Sequence, residues 1–131
     1  MHRAVKIESD YVNEWQFDEY GSPIAPGARE LVEDLVMSLS AREVAVSAVE
    51  QHEYWAWEFS AVFRSCTFYH VLNPVDRESF LTIRLKSFLL NAILMRKPKL
   101  VFEEYCCVLE DVFRTNEKVS KFEWENYVWI E

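Results

Sequence analysis

Alternation dominates the middle of the chain. From Trp55 to Phe63 every second side chain is apolar and mostly aromatic (Trp55, Trp57, Phe59, Ala61, Phe63), the period of a strand with one buried face. The intervening Ala56, Glu58, Ser60 and Val62 predict an antiparallel sheet with one packed side and one partly wet side. After Arg64-Ser65, a second strand places Cys66, Phe68, His70 and Leu72 on one side. A two-residue connection predicts a tight hairpin, although Arg-Ser lacks the glycine or asparagine that primed turns favour, which leaves a longer turn open. Asn73-Pro74-Val75-Asp76-Arg77 reads as the next turn. The strand Phe80 to Leu85 follows, with Leu81, Ile83 and Leu85 towards the core and Thr82, Arg84 and Lys86 outward. Val44 to Val49, short and rich in β-branched residues, is a further strand.

The period changes elsewhere. Between Ala28 and Leu39 the apolar positions 28, 31, 32, 35, 36 and 39 form the stripe of an amphipathic helix, predicted over 28–40. Ser87 is placed to cap a second helix over 87–96, through Leu90, Ile93 and Leu94, that stops before Pro98. A third, over 99–115, stacks Val101, Tyr105, Val108, Leu109 and Val112 and stops at Asn116. The tail from Phe122 to Ile130, with Trp124, Tyr127 and Trp129, is read as a final strand. The only two glycines, Gly21 and Gly27, bracket the turn-rich connector Gly-Ser-Pro-Ile-Ala-Pro-Gly. Ahead of it, residues 1–20 form an acidic, aromatic N-terminal arm or an edge strand. The core occupies 28–131 of a single domain. The fold class expected is α+β: an antiparallel meander of three to five strands with about three helices packed mainly on one face.

Composition narrows the picture further. With 131 residues, 50% hydrophobic and 15% aromatic, the chain can bury one core without metal or disulfide staples. Its three cysteines are an odd number, and the adjacent Cys106 and Cys107 are poorly placed to bridge each other, so reduced thiols in an intracellular setting are expected. No charged-then-apolar leader opens the chain. The longest apolar run, Phe88 to Met95 interrupted by Asn91, falls short of a membrane span, and a soluble, cytoplasmic protein is expected. The net charge of −8 is unevenly spread, with 12 acids and 4 bases in residues 1–60 against 10 of each in 61–131. Such an acidic half suits a basic partner and opposes a phosphate backbone.

Catalytic signatures are weak by comparison. Cys66 and His70 share a strand face, but four residues of extended chain separate them by about 13 Å, too far for one metal ion. A Cys–His nucleophilic pair would join Cys106 or Cys107 to His52 or His70. Both cysteines follow Glu103 and Glu104, an environment that raises a thiol pKa, and they read as small core fillers on a helix. His52-Glu53 opens like a zincin helix, but no histidine follows at the spacing that motif requires. Glu103-Glu104 and Glu110-Asp111 form a solvated helix flank, and glycine scarcity removes phosphate-cradling loops. The bases Arg84, Lys86, Arg96, Lys97 and Lys99 lack neighbouring aromatic platforms and read as an intramolecular counterpart to the acidic helix rather than a nucleic-acid site. No metal, cofactor or catalytic residue is predicted.

The excess of aromatics is more telling. Five tryptophans and six tyrosines exceed what a core of this size needs, and both residue types anchor protein interfaces. Trp15, Tyr20, Tyr54, Trp124, Tyr127 and Trp129 lie beside acids or near the termini. In size, acidity and layout, with the aromatic strand Trp55-Ala56-Trp57-Glu58-Phe59 and the acidic-aromatic arm, the chain resembles bacterial toxin-immunity proteins. The resemblance implies a non-catalytic antidote that occludes the basic active cleft of a toxin. The residues assigned to that contact are Glu8, Asp10, Glu14, Trp15, Asp18, Glu19, Tyr20, Glu30, Glu33 and Asp34. A homodimer is compatible with this reading. Two alternatives stand beside it: a secretion or assembly chaperone that holds an extended segment in an apolar groove, and a small-molecule binder or enzyme with a pocket of Trp55, Trp57, Tyr69 and His70.

Overall fold

A computed structural model describes residues 2–88 and 97–125. The architecture is α+β. Its strands are β1 (His2–Ser9), β2 (Gln16–Phe17), β3 (Pro23–Ala25), β4 (Ala45–Val46), β5 (Glu50–His52), β6 (Ala56–Phe63), β7 (Cys66–Val75), β8 (Glu78–Phe88) and β9 (Val119–Trp124). The described helices are α1 (Arg29–Ala41) and α2 (Pro98–Thr115). Seven strands build one antiparallel sheet in the order β4, β6, β7, β8, β1, β9, with β5 also on β6, while β2 and β3 form a separate hairpin. The sheet is thus larger than the three to five strands expected from the pattern.

The alternation holds where it was most regular. Trp57, Phe59 and Ala61 of β6, Cys66, Phe68, His70 and Leu72 of β7, and Leu81 and Ile83 of β8 are all buried. Register puts them on one face, since Phe59 pairs with His70 and His70 with Ile83. The apolar stripes of both helices complete one cluster with that face, through Leu31, Val32, Leu35 and Leu39 of α1 and Val101, Phe102, Tyr105, Leu109 and Val112 of α2. Phe68 is its hub, stacked on Tyr105 at 4.3 Å and edge-on to Phe102 at 5.5 Å.

Two expectations about individual segments are corrected, and a third is resolved. Residues 1–20 are neither a free arm nor an edge strand throughout: β1 lies between β8 and β9, and Val5 and Ile7 are fully buried. The charges that suggested an edge, Lys6 and Glu8, occupy its other face. Ser87 does not cap a helix, because β8 runs on to Phe88 and Ser87 pairs with Thr67. The remainder of the expected 87–96 helix, and Tyr127 and Trp129, lie outside the described residues. The β6–β7 connection really is two residues long, with Phe63 opposite Cys66 and both Arg64 (φ 49°) and Ser65 (φ 66°) left-handed. The Arg64 guanidinium lies 5.1 Å over the Phe63 ring and pairs with Glu104 of α2, contacts that offset the cost of a turn without glycine.

Gly27 shows how tightly the connector is fitted. A Cβ there would overlap Asn13 Oδ1 and meet the Asn13 carbonyl carbon at 2.8 Å and the Glu14 nitrogen at 3.0 Å. The Gly27 carbonyl also accepts the Trp57 indole N–H at 2.8 Å. Gly27→Ala is expected to cost about 1–3 kcal/mol, as overpacking does, and to lower the denaturant midpoint without changing its slope.

Candidate protein-binding surface

Residues 16–25 project as a finger. The strands β2 and β3 flank a turn organised by Asp18, whose Oδ1 accepts the amides of Tyr20 and Ser22, each at 2.9 Å. Its carbonyl accepts Gly21 N–H at 3.1 Å. Gly21 has φ +82° with open space around it, so glycine is there for its backbone conformation. An asparagine or aspartate that closes its own turn leaves neighbouring side chains free to point outward. Tyr20 is 84% exposed, Phe17 57% and Ile24 45%.

A second loop lies alongside. Gln51 of β5 donates through Nε2 to the carbonyls of Ile24 and Glu53, each at 2.7 Å, which ties the finger to the turn after β5. That turn presents Tyr54, 64% exposed, and Trp55, 40% exposed, with the Trp55 indole N–H donating to Glu53 at 3.0 Å. The strand alternation predicted Trp55 in the core; it sits instead in the turn that precedes β6. The sequence has no lysine or arginine between Lys6 and Arg29, nor between Arg42 and Arg64. The two base-free segments are joined here by the Gln51 bond to Ile24, and Glu14, Glu19, Glu50 and Glu53 within them are exposed.

The finger is moored at its base. Tyr11 donates to Asp34 of α1 at 2.6 Å and accepts from Asn116, at the end of α2, at 2.8 Å. Burial and the Asp34 bond push the Tyr11 phenol up to about 12, so it remains a donor at neutral pH. Asn13 donates to the Asp76 carbonyl in the β7–β8 turn.

No protein family, curated protein or solved structure matches the chain. Its functional reading therefore rests on the disposition of its own residues. Of the positions assigned to a partner contact, Glu14, Trp15, Asp18, Glu19 and Tyr20 belong to the finger and its approach, with Trp15 half-buried and the rest exposed. Glu8 and Asp10 lie elsewhere, in a cleft of about 620 Å³ where Asp76 and Arg77 of the β7–β8 turn and Glu78 at the start of β8 join them. On α1, Glu30 is exposed, Glu33 pairs with Arg29 at 2.8 Å, and Asp34 is committed to Tyr11. Sequence reasoning missed Phe17, Ile24, Asp76 and Glu78. The period-2 signal of a two-residue strand is too short to find, and the β1–β8 pairing that joins Glu78 to Glu8 is long-range.

The alternative pocket of Trp55, Trp57, Tyr69 and His70 does not assemble. Tyr69 and His70 are strand neighbours and point to opposite faces; Trp57 and His70 are buried in the core, and Trp55 is in a surface turn. On the open face, Tyr69 and His52 both reach the Glu58 carboxylate, with His52 Nδ1 at 2.9 Å. These two bonds, Tyr69 first, hold Glu58 below the usual carboxylate range, and burial with the Glu58 contact raises Tyr69 to about 12. His70 contacts Tyr105 rather than a thiol, at 2.7 Å. Burial pushes Cys106 up to about 12, away from the thiolate, and Cys107 is exposed. Among the described residues no three metal-capable side chains converge and no helix is long and apolar enough to cross a membrane. Three of the four acids of α2 are in ion pairs: Glu104 with Arg64, Glu110 with Arg114 at 3.2 Å, and Asp111 with Arg42 at 2.8 Å.

Proposed function

We propose that this chain is a non-catalytic binding protein that neutralises a basic protein partner, in the manner of a toxin antidote, with the finger as its anchor. What supports the reading is the exposure of Phe17, Tyr20, Tyr54 and Trp55 on two joined segments that contain acids but no lysine or arginine. Large exposed aromatics are the composition of an interface centre. Surrounding carboxylates would steer a basic cleft towards them and disfavour other partners. Glu8 and Asp10, with Asp76 and Glu78, form a separate cleft of four acids and one base, Arg77.

The electrostatic half has its own test. Reversing Glu14 and Glu19 to lysine is expected to slow association by at least about tenfold at low salt and to have little effect at high salt, where the Debye length shrinks to about 3 Å. Stopped-flow or surface-plasmon kinetics against the partner reads this directly. An association rate indifferent to both reversals would remove charge steering from the account.

A further inference from the structure

We infer that β9 is a pairing edge for a second copy of this chain, giving a two-fold dimer in which the sheet continues from β9 into β9 of the partner subunit. The strand closes one side of the sheet, and no described strand lies beyond it. The direction of its backbone groups follows from the ladder. Glu125 N–H donates to the Ala4 carbonyl at 2.8 Å, and the register Val5 to Trp124, Lys6 to Glu123, Ile7 to Phe122 continues without a shift to Glu8 and Lys121. In an antiparallel pair, hydrogen-bonded positions alternate with non-bonded ones. Lys121 and Glu123 therefore turn their amides towards β1, and Phe122 and Trp124 turn theirs to the outer edge.

Those outward groups suit a two-fold axis at Phe122. Phe122 of each copy would then exchange both of its backbone bonds with the same residue of the other. The flanking non-bonded pair would place Lys121 opposite Glu123 of the partner subunit, and Glu123 opposite the partner's Lys121, at the close spacing where opposite charges stabilise a sheet. Both side chains are exposed and lie on the open face, away from Phe122, which packs on Phe113 of α2 at 5.3 Å. Within one chain Lys6 already faces Glu123, with Nζ 3.9 Å from the carboxylate, and Glu8 faces Lys121. The dimer would complete an alternating row across four strands: Lys6, Glu123, the partner's Lys121, the partner's Glu8. A lysine on an edge strand ordinarily blocks pairing. Here self-complementarity makes it selective for one antiparallel register of the same strand.

The test is charge reversal read by sedimentation equilibrium over a wide concentration range. K121E puts a carboxylate opposite Glu123 of the partner subunit on both sides of the axis, and E123K likewise puts an ammonium opposite the partner's Lys121. Each variant alone is expected to weaken dimerisation at least about tenfold, while an equimolar mixture restores it, because each like-charged edge then meets its opposite. Both positions are exposed, and matching melting transitions will show that the variants fold. Hydrogen exchange on the unmodified protein supplies a second readout: the Phe122 and Trp124 amides should be protected at high concentration and exchange freely on dilution. A protein that is monomeric throughout, a mixture no tighter than the single variants, or a dimer whose Phe122 and Trp124 amides stay unprotected would overturn the inference.

Discussion

Replacing Phe17 and Tyr20 together with alanine is expected to abolish tight partner binding, raising Kd by at least about a hundredfold, with little change in melting temperature. The asymmetry follows from where these rings lie. Phe17 and Tyr20 are 57% and 84% exposed, so their removal takes little apolar surface out of the folded core. Aromatic side chains at the centre of an interface, by contrast, commonly cost about 2 kcal/mol or more each when truncated, about thirtyfold in affinity, and such losses do not add simply. The finger's shape should survive, because its turn is closed by Asp18 and Gly21 rather than by the rings. Calorimetric titration with the partner and a thermal melt separate the two effects. Equal affinity for the variant would place the anchor elsewhere, and a collapse of the melt would make the rings structural.

Acid should unfold the protein through His70. Its ring is fully buried, stacked 4.1 Å from Phe59, with Nδ1 3.2 Å from the Phe59 carbonyl and Nε2 2.7 Å from the Tyr105 hydroxyl. These partners satisfy one neutral tautomer: Nδ1–H donates to the carbonyl and Nε2 accepts from tyrosine. Burial holds the imidazole down at about 3, from an ordinary 6.5. Above pH 6.5 the ring is neutral in both folded and unfolded chains. Below it the unfolded chain takes up a proton that the folded one refuses. Stability should therefore fall with falling pH across the window from about 6.5 to about 3, by as much as about 1.4 kcal/mol per pH unit. Integrated over that window the loss is on the order of 4 kcal/mol, a large part of a small domain's stability. Glu58, whose pKa is depressed, loses its contribution on further acidification, in the same direction. His70→Gln keeps hydrogen-bonding capacity and cannot titrate, so it isolates the histidine. Urea titrations from about pH 7 to about pH 4 should give a clearly shallower pH dependence for the variant, although it starts less stable. Parallel curves would contradict the assignment.

Local periodicity made much of the scaffold legible. Trp57, Phe59 and Ala61, the Cys66 to Leu72 face, and the stripes of α1 and α2 each repeat for several residues, so tertiary structure had only to accept them. What escaped was set by distant pairing. β1 has few apolar residues, and its place between β8 and β9 depends on partners far along the chain, such as Leu81 and Trp124 opposite Val5. Ser87 has a good capping side chain, yet register with Thr67 keeps it in a strand. Arg64-Ser65 violates turn preference because Glu104 and Phe63 hold the arginine.

The acidic-aromatic character of residues 1–20 was visible in composition, but its division was not. Asp34, equal to Glu33 in any sequence count, is committed to Tyr11 because the chain returns across α1. Asp18 serves first as the finger's turn residue. The Gln51 bridge to Ile24 joins the turn of Tyr54 and Trp55 to the finger, a contact between residues too far apart for any local pattern to reveal.

The central claim is that the finger anchors a basic protein. Its most direct test is capture from the native cell with tagged wild-type protein and with the F17A/Y20A variant, each at low and at high salt, followed by mass spectrometry. The account predicts one stoichiometric basic protein, retained by the wild type at low salt, reduced at high salt and absent from the variant. A partner held equally by both proteins, or a wild type that recovers only itself, would contradict it.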